Sequence, residues 1–223
     1  RGAIWDALGR REVYGTSGQR TLLWFDLLNP PGSRGRSLPM GSAVESNENP
    51  IFQVRAVGSF EQKPGCPDYA SEALGAEDLD RICKNECYHP SDKRRLITQI
   101  DVIRIRPQVR DGESVEALIE DPWRTFTCDN NPEGCVVTFS DADYSAGGRD
   151  TVYYARALEQ PRPTINGAGV NCEFDASGKC KSVRLCGSPE NPNSECLSDA
   201  EPKAWSSPIF MDQPKRALAS ASN

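Results

Sequence analysis

The single histidine of the 223-residue chain, His89, lies in "ECYHPSD" beside Cys87, with Cys83 just upstream. Together with Cys66 these residues make a Cys3His set, the ligand chemistry of a structural zinc ion, since thiolate sulfur and imidazole nitrogen both suit a tetrahedral borderline-soft cation. The spacing argues against it, because such sites usually use two tight ligand pairs. A disulfide from Cys66 to Cys83 or Cys87 is expected instead, with one cysteine of the three left over. A second candidate is "SDADYSAGGRD", where Asp141, Asp143 and Ser145 offer alternating oxygens as a calcium loop does. The segment lacks the glycine at the sixth position and the distal bidentate Glu. A turn is expected there, with Gly147 and Gly148 supplying positive φ. A Ser-His-Asp or Cys-His mechanism would need His89 as its base, yet His89 directly precedes Pro90 in a Cys-rich loop and no G-x-S-x-G elbow occurs. Metal-dependent hydrolysis needs several His and carboxylate ligands, which one histidine cannot supply. No catalytic residue, metal ligand or cofactor is assigned to this chain.

The cysteines point to a compartment rather than to a reaction. Nine of them, at 66, 83, 87, 128, 135, 172, 180, 186 and 196, are more than a reducing cytosol ordinarily allows without metal or redox chemistry. Cys128 and Cys135 flank "DNNPEG", Cys172 and Cys180 flank "EFDASGK", and Cys186 and Cys196 flank "GSPENPNSE", each a turn-forming stretch. These three local pairs are expected to be disulfides, each stabilising by no more than about 3 kcal/mol through its short loop. A periplasmic or extracellular location follows.

Composition narrows the partners. The 32 acidic and 26 basic residues are interspersed and leave a net charge of −6, so no basic stripe exists to neutralise a phosphate backbone, and nucleic acid is not expected. No apolar run approaches the roughly 18 to 20 residues that span a bilayer. Glycine (18) and proline (17) are abundant, which suits short strands joined by turn-rich loops.

The elements that must position these residues are legible as alternations. "RGAIWDALGRRE" sets Ile4, Trp5 and Leu8 on one stripe opposite Arg1, Asp6 and Arg10, which predicts a short amphipathic helix. "VYGTSG" turns to strand-type residues and breaks at Gly18, and "TLLWFDLL" reads as a central strand buried on both faces. Residues 29–50 are rich in Pro, Gly, Ser and Asn and read as a loop. "IFQVRAVGSF" alternates, with Phe52, Val54, Ala56 and Phe60 on one face. Residues 61–95 form a Cys-bearing insertion with a short helix facing Leu79 and Ile82 inward. "LITQIDVIRIRP" is a strand ending at Pro107. "SVEALIED" fits either helix or strand, and "TFTC", "CVVTFS", "DTVYYARALE" and "SSPIFMD" are further strands. Tyr153 and Tyr154 fit a sugar-stacking surface, but Tyr alternating with Val in a strand more often packs a core. About seven strands without crossover helices predict a mainly β fold, an antiparallel β-sandwich with long disulfide-bearing loops and a short N-terminal helix. The tail from 213 to 223 has little to bury and is expected to be flexible.

The order of several segments adds a family resemblance. "ALGRREVYGTSGQR" resembles the helix and Thr-Ser-Gly strand that close the catalytic domain of bacterial proteins of the PHP (polymerase and histidinol phosphatase) superfamily. "DPWRTFTC", "FSDADYSAGGRDTVYYARALEQPRPTING" and "AWSSPIFMD" resemble the C-terminal region of the domain-of-unknown-function family 3604. The resemblance implies three parts: residues 1–20 as the last helix and strand of an upstream PHP-like domain, 21–212 as the sandwich, and 213–223 as the tail.

It implies a function for the parent, a metal-dependent phosphoesterase-like hydrolysis whose His and Asp ligands, and divalent metal, belong to that upstream domain. Trp5 and Leu8 would pack against its core, and the odd cysteine would find a partner there. Thr16, Ser17 and Arg20 would lie near the rim of the parent site as substrate-binding residues, Arg20 reaching an anionic substrate through paired donors. The alternative of another class is an extracellular binding or assembly module without catalysis, self-associating through an exposed sheet edge.

Overall fold

The computed structural model describes residues 1–84, 87–165, 172–183 and 197–214. In chain order these form α1 (Gly2–Gly9), β1 (Tyr14–Thr16), β2 (Leu22–Leu27), β3 (Leu38–Pro39), β4 (Ala43–Glu45), β5 (Ile51–Val57), β6 (Phe60–Gln62), α2 (Asp68–Cys83), β7 (Pro90–Arg94) and β8 (Ile97–Ile105). A single 3-10 turn (Glu116–Leu118) then leads into β9 (Ile119–Thr127), β10 (Cys135–Ser140), α3 (Tyr144–Gly147), β11 (Thr151–Glu159), β12 (Arg162–Ile165), β13 (Cys172–Phe174), β14 (Cys180–Val183), β15 (Leu197–Ala200), β16 (Lys203–Ser206) and β17 (Ile209–Asp212).

Two sheets make the expected mainly β sandwich. The larger has seven strands. At its centre β11 pairs along one side with β8, and β8 in turn with β9. Along its other side β11 is shared, its first half pairing with β17 and its second with β16. The Ala155 N–H, which falls between these two partners, donates instead to Ser206 Oγ at 2.9 Å. The smaller sheet runs β10–β5–β2–β3. The strand count therefore exceeds the expected seven. The surplus consists of strands of two to five residues, too short to show a period.

The core lies between these sheets. Phe25, Phe52 and Val54 of the smaller sheet meet Ile100, Val102, Tyr153 and Ala155 of the larger, and Phe52 packs its ring 4.7 Å from Tyr153 and 5.3 Å from Phe25. The alternation of "IFQVRAV" is borne out for Phe52, Val54 and Ala56, all buried. Phe60 is only half-buried, because the chain turns at Gly58 and Ser59 before β6. "TLLWFDLL" is not buried on both faces: Leu23, Phe25 and Leu27 point inward while Trp24 faces out beneath the Arg55 guanidinium. Only one face of the smaller sheet is covered, so its strands keep an outer face in contact with water.

Two further expectations are corrected and one ambiguity is resolved. Residues 29–50 contain β3 and β4, and β4 pairs in parallel with β17, an alignment set by partners far apart in sequence. Ile82 is exposed although Leu79 is buried, since α2 lies on the insertion and offers only Leu79 to its interior. "SVEALIED" divides into the 3-10 turn and the start of β9.

Disulfides fasten the sandwich where sequence placed them. Cys128–Cys135 ties the end of β9 in one sheet to the start of β10 in the other, and Cys172–Cys180 closes the β13–β14 hairpin around Asp175 and Gly178. The expected Cys186–Cys196 pair and the 213–223 tail lie outside the described residues, apart from Gln213 and Pro214. No described helix is long and apolar enough to cross a membrane.

Candidate functional site

Among the described residues, the arrangement best suited to bind a ligand is a pocket of about 180 Å³ at the end of the sandwich where β1 delivers Arg20. Gly18, at φ +108°, turns the chain after β1 so that Gln19 and Arg20 face the pocket. Its other walls are Ser59 and Phe60 at the β5–β6 corner, Gln62, Tyr88 from the Cys-rich insertion, and Arg162 of β12.

A buried carboxylate ties together the segments that line the pocket. Glu159, the last residue of β11, is fully buried and accepts hydrogen bonds from Thr21 Oγ1 (2.6 Å), Ser59 N (2.6 Å) and Ser59 Oγ (2.9 Å). These three bonds join β11 to the start of β2 and to the β5–β6 corner, so the segments carrying Arg20, Ser59 and Arg162 cannot move independently. A buried carboxylate without such donors would be strongly unfavourable.

The walls are basic. The Arg20 guanidinium lies 3.7 Å above the Tyr88 ring, a cation–π contact that leaves its donor edges free. Tyr88 is itself held by the insertion, where Cys87 is disulfide-bonded, His89 N donates to Gln62 Oε1 at 2.9 Å, and Lys63 N donates to His89 O at 2.7 Å. Arg162 meets the Gln19 amide oxygen when the Gln19 nitrogen donates to Ser17 Oγ. Burial, then the positive charge of Arg95, depresses the Arg162 guanidinium below its ordinary value, against the opposing pull of Glu159. Arg94 stacks 3.9 Å over Phe60. Neither Arg20 nor Arg162 forms an ion pair among the described residues.

Thr16 and Ser17 do not join Arg20 there. Ser17 Oγ accepts from Lys203 N at 2.9 Å and so extends the β1–β16 pairing, while Thr16 Oγ1 accepts only a long bond from Gly18 N, 3.4 Å. Sequence reading missed Arg162, Tyr88 and Gln19, which come from three separate parts of the chain. None of the three carried a local signal, since they converge only on folding.

The other candidates resolve differently. Cys66 and Cys87 form a disulfide, one of the two pairings expected, and Cys83 is the free thiol. Its Sγ lies 3.3 Å from Cys87 Sγ and 4.0 Å from Cys66 Sγ and donates to Leu79 O. The three sulfurs thus gather, but His89 does not complete a Cys3His set, its Nδ1 being paired with Pro64 O at 3.3 Å. No family model, curated protein or solved structure matches this chain.

Asp141 faces inward rather than toward a shared cation position. Its carboxylate accepts from Arg104 Nη1 (2.8 Å) and Tyr153 Oη (2.6 Å), and Arg104 also forks onto Glu120 at 2.7 and 3.0 Å. Asp143 precedes α3, Ser145 N donates to Asn49 Oδ1, and of the two glycines only Gly148 takes positive φ, since Gly147 lies within α3. Tyr153 packs the core, fully buried, as the alternation of its strand implied.

Proposed function

We propose that this chain is the C-terminal β-sandwich portion of an exported PHP-like metal-dependent hydrolase, a portion that supplies no metal ligand and docks on the catalytic domain through α1. The observation that carries the reading is the apolar stripe of α1. Ile4, Trp5 and Leu8 are 69%, 77% and 52% exposed, while the other end of the helix is anchored by Arg11, whose Nε donates to Gly41 O at 3.1 Å and whose guanidinium lies 5.1 Å over Phe210. A fixed helix presenting a Trp, an Ile and a Leu to water is the form of an interface residue set rather than of a free surface. The occupant that fits is the upstream domain to which the resemblance assigns this helix, since it would be joined to α1 by the chain itself.

Three disulfides among the described residues fit the oxidising compartment that the reading requires. The divalent metal and its His and Asp ligands would belong to the upstream domain, and residues 1–223 act as its structural and substrate-contacting extension.

The test is hydrolysis of a chromogenic phosphate ester by the polypeptide as its source makes it, beside residues 1–223 alone. Activity that chelation abolishes and a divalent metal restores is expected for the former and none for the latter. A native polypeptide that neither binds a divalent metal nor turns over any ester overturns the proposal, and the non-catalytic extracellular module becomes the better account.

A further inference from the structure

We propose that the pocket between Arg20, Arg162 and Tyr88 is a binding site for one oxyanion group: a carboxylate, sulfate or phosphate carried by a small solute or by the end of a larger ligand. The inference does not rest on docking through α1, because α1 and Arg20 lie at opposite ends of β1.

Three observations carry it. First, two guanidiniums line one cavity, and no carboxylate forms an ion pair with either among the described residues. Second, each is held by a neutral group. Tyr88 stacks Arg20, and the Gln19 oxygen meets Arg162, so both are oriented without their charge being cancelled. A guanidinium has five N–H donors in a fixed fork, and Gln19 engages only Nε and one Nη of Arg162. Third, Glu159, the acid whose charge bears on Arg162, already receives three hydrogen bonds from Thr21 and Ser59, which fix the frame of the pocket.

Planar forks of this kind match the paired oxygens of carboxylate, sulfate and phosphate, and such charge-assisted bonds are the strong class. The cavity, about 180 Å³, admits the charged group and a few attached atoms rather than a large ligand. The positive charge of Arg95, which bears on Arg162, adds to the attraction, and the negative charge of Glu159 opposes it.

The experiment is calorimetric titration of residues 1–223 with inorganic phosphate, inorganic sulfate and glucuronate, each against sodium chloride of equal ionic strength. Saturable binding of at least one is expected. Arg20→Gln and Arg162→Gln should each weaken it about tenfold or more, as expected for loss of a hydrogen bond to a charged group. Arg36→Gln, an exposed arginine outside the pocket, should leave it unchanged. A preference for phosphate or sulfate assigns a tetrahedral ligand, and a preference for glucuronate an acidic sugar. Because Arg162 is partly buried, its variant is compared at equal folded fraction by urea unfolding, and Arg20→Gln, on an exposed residue, stands as the independent check. Heats no larger than those with chloride for all three anions, or binding that neither variant weakens, overturn the proposal.

Discussion

Replacing Asp141 with Ala lowers the unfolding free energy of the chain by about 3 kcal/mol, read as a fall in the urea midpoint without a change of slope, because it removes one of the two carboxylates that face a buried guanidinium and the acceptor of a buried phenol. Arg104 and Asp141 side chains are 9% and 2% exposed and meet at 2.8 Å. Asp141 also receives the hydroxyl of Tyr153, which is fully buried against Phe52 at the middle of the core. Removing the carboxylate therefore strands a phenol in the interior and leaves the Arg104 guanidinium with Glu120 alone. Tyr153→Phe, which removes a single hydrogen bond, is expected to destabilise by only about 1 kcal/mol. Burial opposes ionisation of Asp141, yet the bonds from Tyr153 and Arg104 hold its carboxyl below the ordinary 3.8. A depressed folded value means that this contribution is fully present above the unfolded value and disappears as pH falls through the folded one. Acid unfolding should thus steepen below about pH 4 in the native chain. Asp141→Asn should flatten that limb, and an unchanged acid limb in this variant would count against the network.

The second large effect belongs to Phe52. Its ring touches Phe25 of the same sheet, Phe139 of β10 and Tyr153 of the opposite sheet, with centroid separations of 5.3, 5.5 and 4.7 Å. Phe52→Ala removes the common neighbour of three aromatic rings and leaves a void that surrounding strands, tied by the Cys128–Cys135 disulfide, close only in part. The expected loss is about 3–5 kcal/mol, again by urea unfolding. Phe174→Ala, on an exposed residue of β13, should by contrast change stability by less than about 0.5 kcal/mol. Equal effects at the two positions would mean that the sheets do not pack through Phe52.

What sequence disclosed depended on the range over which each signal acts. Alternation in "IFQVRAV" and "DTVYYARALE" is local and identified two strands that face one another across the core. The disulfides across "DNNPEG" and "EFDASGK" were legible because their turns bring neighbours together. Pairings such as β4 with β17 bridge most of the chain and leave no local trace. The apolar run around Trp24 does not reveal which face of the sheet is covered, and Trp24 lies on the open one. Arg104 carried a usable sign: a charged residue at a buried position of "DVIRI" must have a partner, and Asp141 was the acid that its loop supplied. The pocket was only one-quarter visible, through Arg20, because Gln19, Tyr88 and Arg162 converge by tertiary folding and Ser17 serves the β1–β16 pairing instead.

The most direct test of the docking account is the accessibility of Trp5. Hydroxyl-radical labelling followed by peptide mass spectrometry reads Trp5 and Trp24 in the same digest, Trp24 serving as an internal reference on the outer face of the smaller sheet. In residues 1–223 alone, where Trp5 is 77% exposed, it should label faster than Trp24. In a polypeptide bearing the upstream domain that we propose, Trp5 labelling should fall several-fold relative to Trp24, as expected for a large aromatic residue buried in an interface. Equal Trp5 labelling in both would contradict docking through α1.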